Sequence, residues 1–437
     1  MTLVKMTMTR VFMLVLGLAF VNTSWAQLTI QITKGRDNPV PIAVVPFGTD
    51  QVGALPEDVA AIIGADLQRS GQFSPLARGN MLSLPREGKE VVYRDWRALN
   101  QEYVLVGKTT PFQNGYMFQF ELFDVFNQRQ LLLDREIGYR DNLREVAHKI
   151  ADKVYEKLTG VRGAFNTKLL YVSALRDAGG KYTYRLMMSD ADGMREQVLR
   201  TQREPILTPQ WSPDAQSIAY TSFETRRPAI YLENLRTRQR QQLTSFKGLN
   251  GSPVFSPDGR RLAMVLSKDG NPEIYVMDLA SRNLVRVTNH YAIDTEPTWT
   301  ADGQYILFTS DRGGKPQIYK TSIYGGDTQR VTFNGDYNAR ARSMPDGSGF
   351  VLVHREYGDF HIALQDTKRN RMETLTQTSL DESPSVAPNS AMVIYATVSG
   401  GRGVLAVVSA DAGTKYLLPS RFGDVREPAW SPFLNRR

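Results

Sequence analysis

The chain has 437 residues, a formal net charge of +8, 41% hydrophobic residues and no cysteine. That length allows more than one domain with its own core. The missing thiols exclude disulfides and thiolate-held metals, and they are compatible with an oxidising compartment.

Lys5 and Arg10 precede an apolar run from Val11 to Val21, and Ser24-Trp25-Ala26 fits a small-x-small processing site. The run falls well short of the ~20 residues that cross a bilayer, so residues 1–26 read as a signal peptide cut between Ala26 and Gln27. The mature chain is then expected to be exported and without a transmembrane segment.

From Gln27 to Thr33, Leu28, Ile30 and Ile32 alternate with polar residues. Such a segment suits a strand of its own domain, or addition to the sheet edge of a partner. Both together would make a switch, docked in one state and free in the other.

Residues 27–160 read as a small α/β domain. Pro41 to Phe47 is an apolar strand, and Pro56 opens a helix with Glu57 and Asp58 in its first turn. Val59, Ile62, Ile63 and Leu67 share one face of that helix. Strands follow at Tyr103–Val106, Met117–Asp124 and Gln130–Ile137, the last two joined near Asn127. Asp141 is expected to cap a longer helix that ends at Gly160. Residues 161–166 read as a linker, and residues 167–437 as an all-β domain.

That domain is built on a repeat. Its copies begin at Trp211, Phe255, Trp299, Ser343, Val386 and Trp430, at steps of 44, 44, 44, 43 and 44 residues. A period in the forties with strand-like content marks propeller blades of four strands each. Ser256-Pro257-Asp258-Gly259 fits a type I turn, and an apolar strand follows in each complete copy. In five copies a Pro (209, 253, 297, 384 and 428) sits two residues before the motif, where it marks a strand entrance. Three strands from Lys168 to Thr201 lack the motif, while the last motif at Trp430 has nothing after it. Together they complete a sixth blade, so the ring closes through its C-terminal strand.

Catalytic signals are thin. Gly107-Lys108-Thr109 resembles the end of a phosphate loop but lies in a strand, and no Gly-x-Ser-x-Gly elbow exists. The four histidines (148, 290, 354 and 361) lack metal-ligand spacing, and Asp190-Ala191-Asp192-Gly193 reads as a turn, not a calcium loop. No catalytic, cofactor or metal residue is expected. The basic excess lies on the repeats, where it suits solvated blade surface or an acidic protein partner. No stacking motif for nucleic acid accompanies it.

The chain resembles the TolB family over the length of the mature sequence. The resemblance rests on Ile32-Thr33-Lys34-Gly35, Ile42 to Phe47, Ile63 to Leu67, Leu158 to Phe165 and the Ser-Pro-Asp-Gly repeats. It implies a periplasmic binding protein of the Tol–Pal system with no chemistry of its own. One propeller face would bind the lipoprotein Pal, and the mature N-terminal tail would bind TolA. Together they would support outer-membrane integrity and constriction at division, and colicins or other envelope proteins could use the same face.

The face would consist of the loops between blades, 202–208, 245–252, 289–296, 334–340, 378–383 and 420–427. Asn250, Thr295, Glu296, Thr208 and Glu382 are the expected Pal contacts, and Leu28, Ile30 and Ile32 the expected TolA contacts. This chain carries Leu249 where family members can show a His. The rival reading is an exported propeller hydrolase or a saccharide-processing accessory protein, which would need acidic or nucleophilic residues converging in the channel.

Overall fold

The computed structural model describes residues 30–31, 39–49, 51–420 and 423–434. The expected cleavage residues Ala26 and Gln27, and the tail residues Leu28 and Ile32, lie outside them.

The N-terminal domain is a five-stranded mixed sheet with helices packed on it. After β1 (Ile30–Gln31), its strands are β2 (Val40–Val44), β3 (Phe73–Pro75), β4 (Tyr103–Phe112), β5 (Gly115–Asp124) and β6 (Arg129–Gly138), in the spatial order β3-β2-β4-β5-β6. β2 is parallel to both neighbours, and the rest of the sheet is antiparallel. One face is covered by α1 (Val59–Arg69) and α3 (Leu143–Thr159), whose Ile63, Leu67, Val146, Ile150 and Val154 pack on Phe118, Phe120 and Leu122. A short helix, α2 (Tyr93–Ala98), covers part of the other face with Trp96.

Both long helices start later than the sequence expectation, α1 at Val59 in place of Pro56 and α3 one residue further on. Asp58 is the N-cap of α1, its Oδ1 accepting from the Ala61 N–H at 3.0 Å, because the side chain reaches the third turn donor only from the non-helical cap position. Asn142, not Asp141, precedes α3, and its Oδ1 accepts the Tyr139 N–H. Gly160 ends α3 in the left-handed conformation (φ 75°), as its lack of a Cβ allows.

Six antiparallel sheets follow, five of four strands and the sixth blade of four strands plus β1. Blade one combines the C-terminal strand Asp424–Trp430 with Lys168–Arg176, Tyr182–Asp190 and Gln197–Gln202. Blades two to six start with the innermost strands Ile206–Trp211, Asn250–Phe255, Asp294–Trp299, Asn338–Ser343 and Glu382–Val386. The recurrent Pro is not at the strand entrance. In every blade but the fifth it lies inside the innermost strand, at a bulge where the register with the second strand shifts. A bulge leaves one residue out of the ladder, so the missing N–H is tolerated there.

The motif turns work as expected. Asp258 Oδ1 accepts the Arg260 N–H at 3.0 Å, and Ser256 Oγ accepts the Arg261 N–H at 2.9 Å. Each turn thereby closes on side-chain acceptors instead of leaving two donors unpaired. The motif tryptophans tie neighbouring blades: Trp299 Nε1 donates to the Val254 carbonyl, and Trp211 Nε1 to that of Ala429.

Antiparallel order puts the blade-joining loops on one face of the ring and the motif turns on the other. The N-terminal domain sits on the motif-turn face, against blades one and six. Asn389 Nδ2 donates to the Arg162 carbonyl, and Gly71 packs directly on Thr414. A Cβ on Gly71 would come within 1.7 Å of Thr414 Oγ1, and its φ of +70° further disfavours any side chain. Gly71→Ala is therefore expected to cost about 1–3 kcal/mol through overpacking. A lower melting temperature, with faster proteolysis in residues 161–166, would register it.

The tail strand β1 joins neither the domain's own sheet nor a separate unit. Its backbone adds antiparallel to the outermost strand of blade six, Lys415–Leu417, with Ile30 opposite Tyr416 and Gln31 opposite Lys415. The outer edge of that blade supplies its backbone hydrogen bonds. Among the described residues no helix is long and apolar enough to cross a membrane.

Candidate functional site: the loop face and its channel

The six bulges converge on the channel. Thr208, Ser252, Glu296, Arg340, Ser383 and Glu427 hold equivalent places in the innermost strands, and all six have φ between 47° and 55°. Left-handed backbone at six non-glycine residues is a local cost that the ring geometry imposes. Arg340 of blade five reaches across: its Nε donates to Glu296 of blade four at 2.6 Å and its Nη2 to Glu427 of blade one at 3.0 Å. It also donates to Ser383 of blade six. Attraction to Glu427, ahead of Glu296, outweighs burial and holds the guanidinium above its ordinary pKa. Arg342, two residues on, is driven below its usual value by burial and by Arg340.

Beside this bridge the loop face holds a cavity of about 590 Å³, between blades five, six and one. Its wall mixes Tyr337, Phe360, Leu380 and Val398 with Glu382, Asp424 and Arg426. Asp381 is buried below it, and its carboxylate accepts from the Thr376 and Thr378 hydroxyls. Glu296 is engaged by Arg340 and Asp424 accepts the Gly403 N–H, so these two acids of the wall are already committed as hydrogen-bond acceptors. The same face leaves apolar side chains in solvent: Leu249, Tyr291, Ile293, Phe333, Tyr357, Leu380 and Val398.

The residues expected as contacts fall into three groups. Glu382 is exposed on the face. Thr295 and Glu296 are half-buried at the channel, and Thr208 is nearly buried against the Thr221 hydroxyl. Asn250 is fully buried. Its Nδ2 donates to the Phe246 and Gly248 carbonyls and its Oδ1 accepts the Phe246 N–H, so it shapes the loop and offers a partner nothing directly.

Arg340 and Glu427 escaped sequence reasoning. Their signal was present, because each occupies the place just before the recurrent Pro position, at the same 44-residue step as Glu296.

The described residues bring His148, Asp190 and Asp192 close enough to suggest a metal site. The donor set does not fit one. Lys168 and Arg195 hold Asp190 at 2.6 and 2.7 Å, and Arg144 pairs with Asp192. A cation there would have to displace guanidinium and ammonium groups from the carboxylates it needs. Asp190–Gly193 is a turn, with the Gly193 N–H donating to the Asp190 carbonyl and Asp192 Oδ1 accepting the Met194 N–H.

Comparison with known proteins agrees with this architecture. A family model described as the TolB beta propeller domain matches residues 155–434, and one described as the TolB amino-terminal domain matches residues 28–131. A Tol-Pal system protein TolB from Pseudomonas aeruginosa is 55% identical over 406 residues, covering 92% of this chain and 94% of the relative. One from Pseudomonas syringae is 53% identical over 428 residues, covering 98% and 99%. The crystal structure of TolB from Acinetobacter baumannii superposes with a TM-score of 0.84 at 42% identity, covering 93% of this chain and all of that one. With both domains matched in order and more than half the residues shared with a near full-length relative, the chain belongs to the TolB family.

Proposed function

We propose that the chain is a component of the Tol–Pal system that acts in the periplasm by binding, without catalysis. Its loop face takes the lipoprotein Pal, and its mature N-terminal tail takes TolA, in support of outer-membrane integrity and constriction at division. The observation that carries the reading is the gathering of exposed apolar side chains around the channel mouth, on the face away from the N-terminal domain. Apolar and aromatic side chains left in solvent on a rigid scaffold are the usual anchors of a protein interface. The tail supports the second half. A segment whose backbone already completes the edge of blade six is suited to add to the edge of another sheet.

Binding of the mature chain to immobilised Pal and to immobilised TolA tests both halves at once. Leu380→Asp and Tyr291→Ala should each weaken Pal binding by about tenfold or more, the range of a central interface residue, and leave TolA binding intact. Deleting residues 27–33 should abolish TolA binding with an unchanged melting temperature. Pal affinity that ignores both face variants, or TolA affinity that survives the deletion, would overturn the corresponding half.

A further inference from the structure

The joint between the two domains is a buried cluster of charge. From α1 come Asp66 and Arg69, and from α3 come Arg144, Glu145, His148 and Asp152. From blade one come Lys168 and the turn residues Asp190, Asp192 and Arg195, and from blade six comes Tyr416. Opposite charges meet across the joint: Arg144 pairs with Asp192, Arg69 lies 3.6 Å from Asp192, and Arg195 lies 3.4 Å from Glu145.

His148 stands at the centre and is 2% exposed. Its Nδ1 lies 2.6 Å from Asp66 Oδ2 within its own domain. Its Nε2 has no hydrogen-bond partner and lies 3.9 Å from Asp190 Oδ2 and 3.9 Å from Asp192 Oδ2, both of the propeller. A neutral ring that donates through Nδ1 to Asp66 would aim the Nε2 lone pair at two carboxylates, which repels. An imidazolium would aim an N–H at them, which attracts.

We propose that His148 is a proton-operated clasp between the domains: protonated, it links Asp66 to Asp190 and Asp192 and locks the N-terminal domain onto blade one; neutral, it releases that joint. The proposal goes beyond the binding reading and stands independently of it.

The electrostatics run the same way. Burial pushes the imidazolium down, but attraction to Asp66, the hydrogen bond to it, and attraction to Asp192 and Asp190 outweigh that, so His148 titrates above its usual value. A group whose folded pKa is raised contributes stability that is full below its unfolded pKa, near 6.5, and is lost as pH rises through the folded value. Asp152 lies one turn along α3 and accepts the Phe165 and Asn166 N–H groups of the inter-domain segment; burial pushes its carboxyl up to about 7. Its ionisation is also opposed in the folded state, so stability falls from about pH 4 to 7 on its account. Both groups make the joint weaken as pH rises. The joint also reaches the tail, because the Tyr416 ring faces Arg69, Asp66 and Asp192 while its strand carries β1 on its outer edge.

Two measurements on the full mature chain test the clasp. With histidine labelled for NMR, His148 should titrate above 6.5; a midpoint at or below 6.5 would overturn the proposal. The native chain has no cysteine, so Arg94→Cys with Tyr324→Cys gives one clean pair of spin labels, one on each domain. The distance distribution should be narrow at pH 5.5. It should broaden with the His148 midpoint, the closed-to-open ratio falling at least ~10-fold by pH 9.5, which is one unit of pKa difference. His148→Gln should be broad at every pH, and Asp192→Asn should move the midpoint down. A distance independent of pH, or the same pH dependence in His148→Gln, sinks the clasp. If His148→Gln does not fold, an unmoved midpoint in Asp192→Asn sinks it equally.

Discussion

A chain ending at Gly423 is expected to lose the cooperative melt of the propeller. The missing strand, Asp424–Trp430, is the innermost strand of blade one and is hydrogen-bonded to Lys168–Arg176. It buries Val425, Ala429 and Trp430, and Trp430 Nε1 donates to Thr167 Oγ1 at 2.8 Å. Ser431 adds two more bonds across the closure, its N–H to the Lys168 carbonyl and its Oγ accepting the Lys168 N–H. Truncation also leaves the Trp211 indole N–H without its Ala429 acceptor and unpairs the inner edge of Lys168–Arg176. Replacing a buried Trp by Ala alone costs about 3–5 kcal/mol. Losing the whole strand should exceed that and approach the total stability of a domain, about 5–15 kcal/mol. Calorimetry decides: Trp430→Ala should melt roughly 10 °C lower, at about 2–4 °C per kcal/mol for a domain of this size. The truncated chain should show no propeller transition, and one with an unchanged melting temperature would refute closure through the C-terminus.

The second large effect concerns Arg340. Arg340→Ala leaves Glu296 and Glu427, with side chains 19% and 12% exposed, without the guanidinium that is hydrogen-bonded to both. Removing one partner of a buried charge network costs about 3–5 kcal/mol, because the remaining charges stay desolvated. Denaturation midpoints of the native protein and the variant at pH 7.5 should show that gap. Adding Glu296→Gln and Glu427→Gln should restore most of the loss. An Arg340→Ala protein as stable as the native one at pH 7.5 would show that the bridge carries no weight.

Much of the fold was legible before any coordinates. The 44-residue step, the Ser-Pro-Asp-Gly turns and the orphan strands at Lys168 and Trp430 specify six blades and their closure, because each signal lies within a few residues of what it shapes. The position before the recurrent Pro also carried the channel ring, read only in part, at Thr208 and Glu296. Asn250 shows the limit of such reading. Its place in a loop suggested a contact, but the chain folds the loop around it and turns its amide donors and its carbonyl oxygen to backbone partners. Exposure is a property of the packed loop, and no residue type announces it.

Most of the strands, the two long helices, the blade count and the face on which the loops emerge could be read from the chain alone. These follow from periodicity and turn chemistry, which act between near neighbours. Long-range packing set the rest: Arg340 bridges to Glu427, 87 residues away, Arg144 pairs with Asp192, β1 extends blade six, and His148 sits among three carboxylates. Charges attract across any gap in the sequence, and which of them meet is set by the docking of whole blades and domains, a choice no local pattern records.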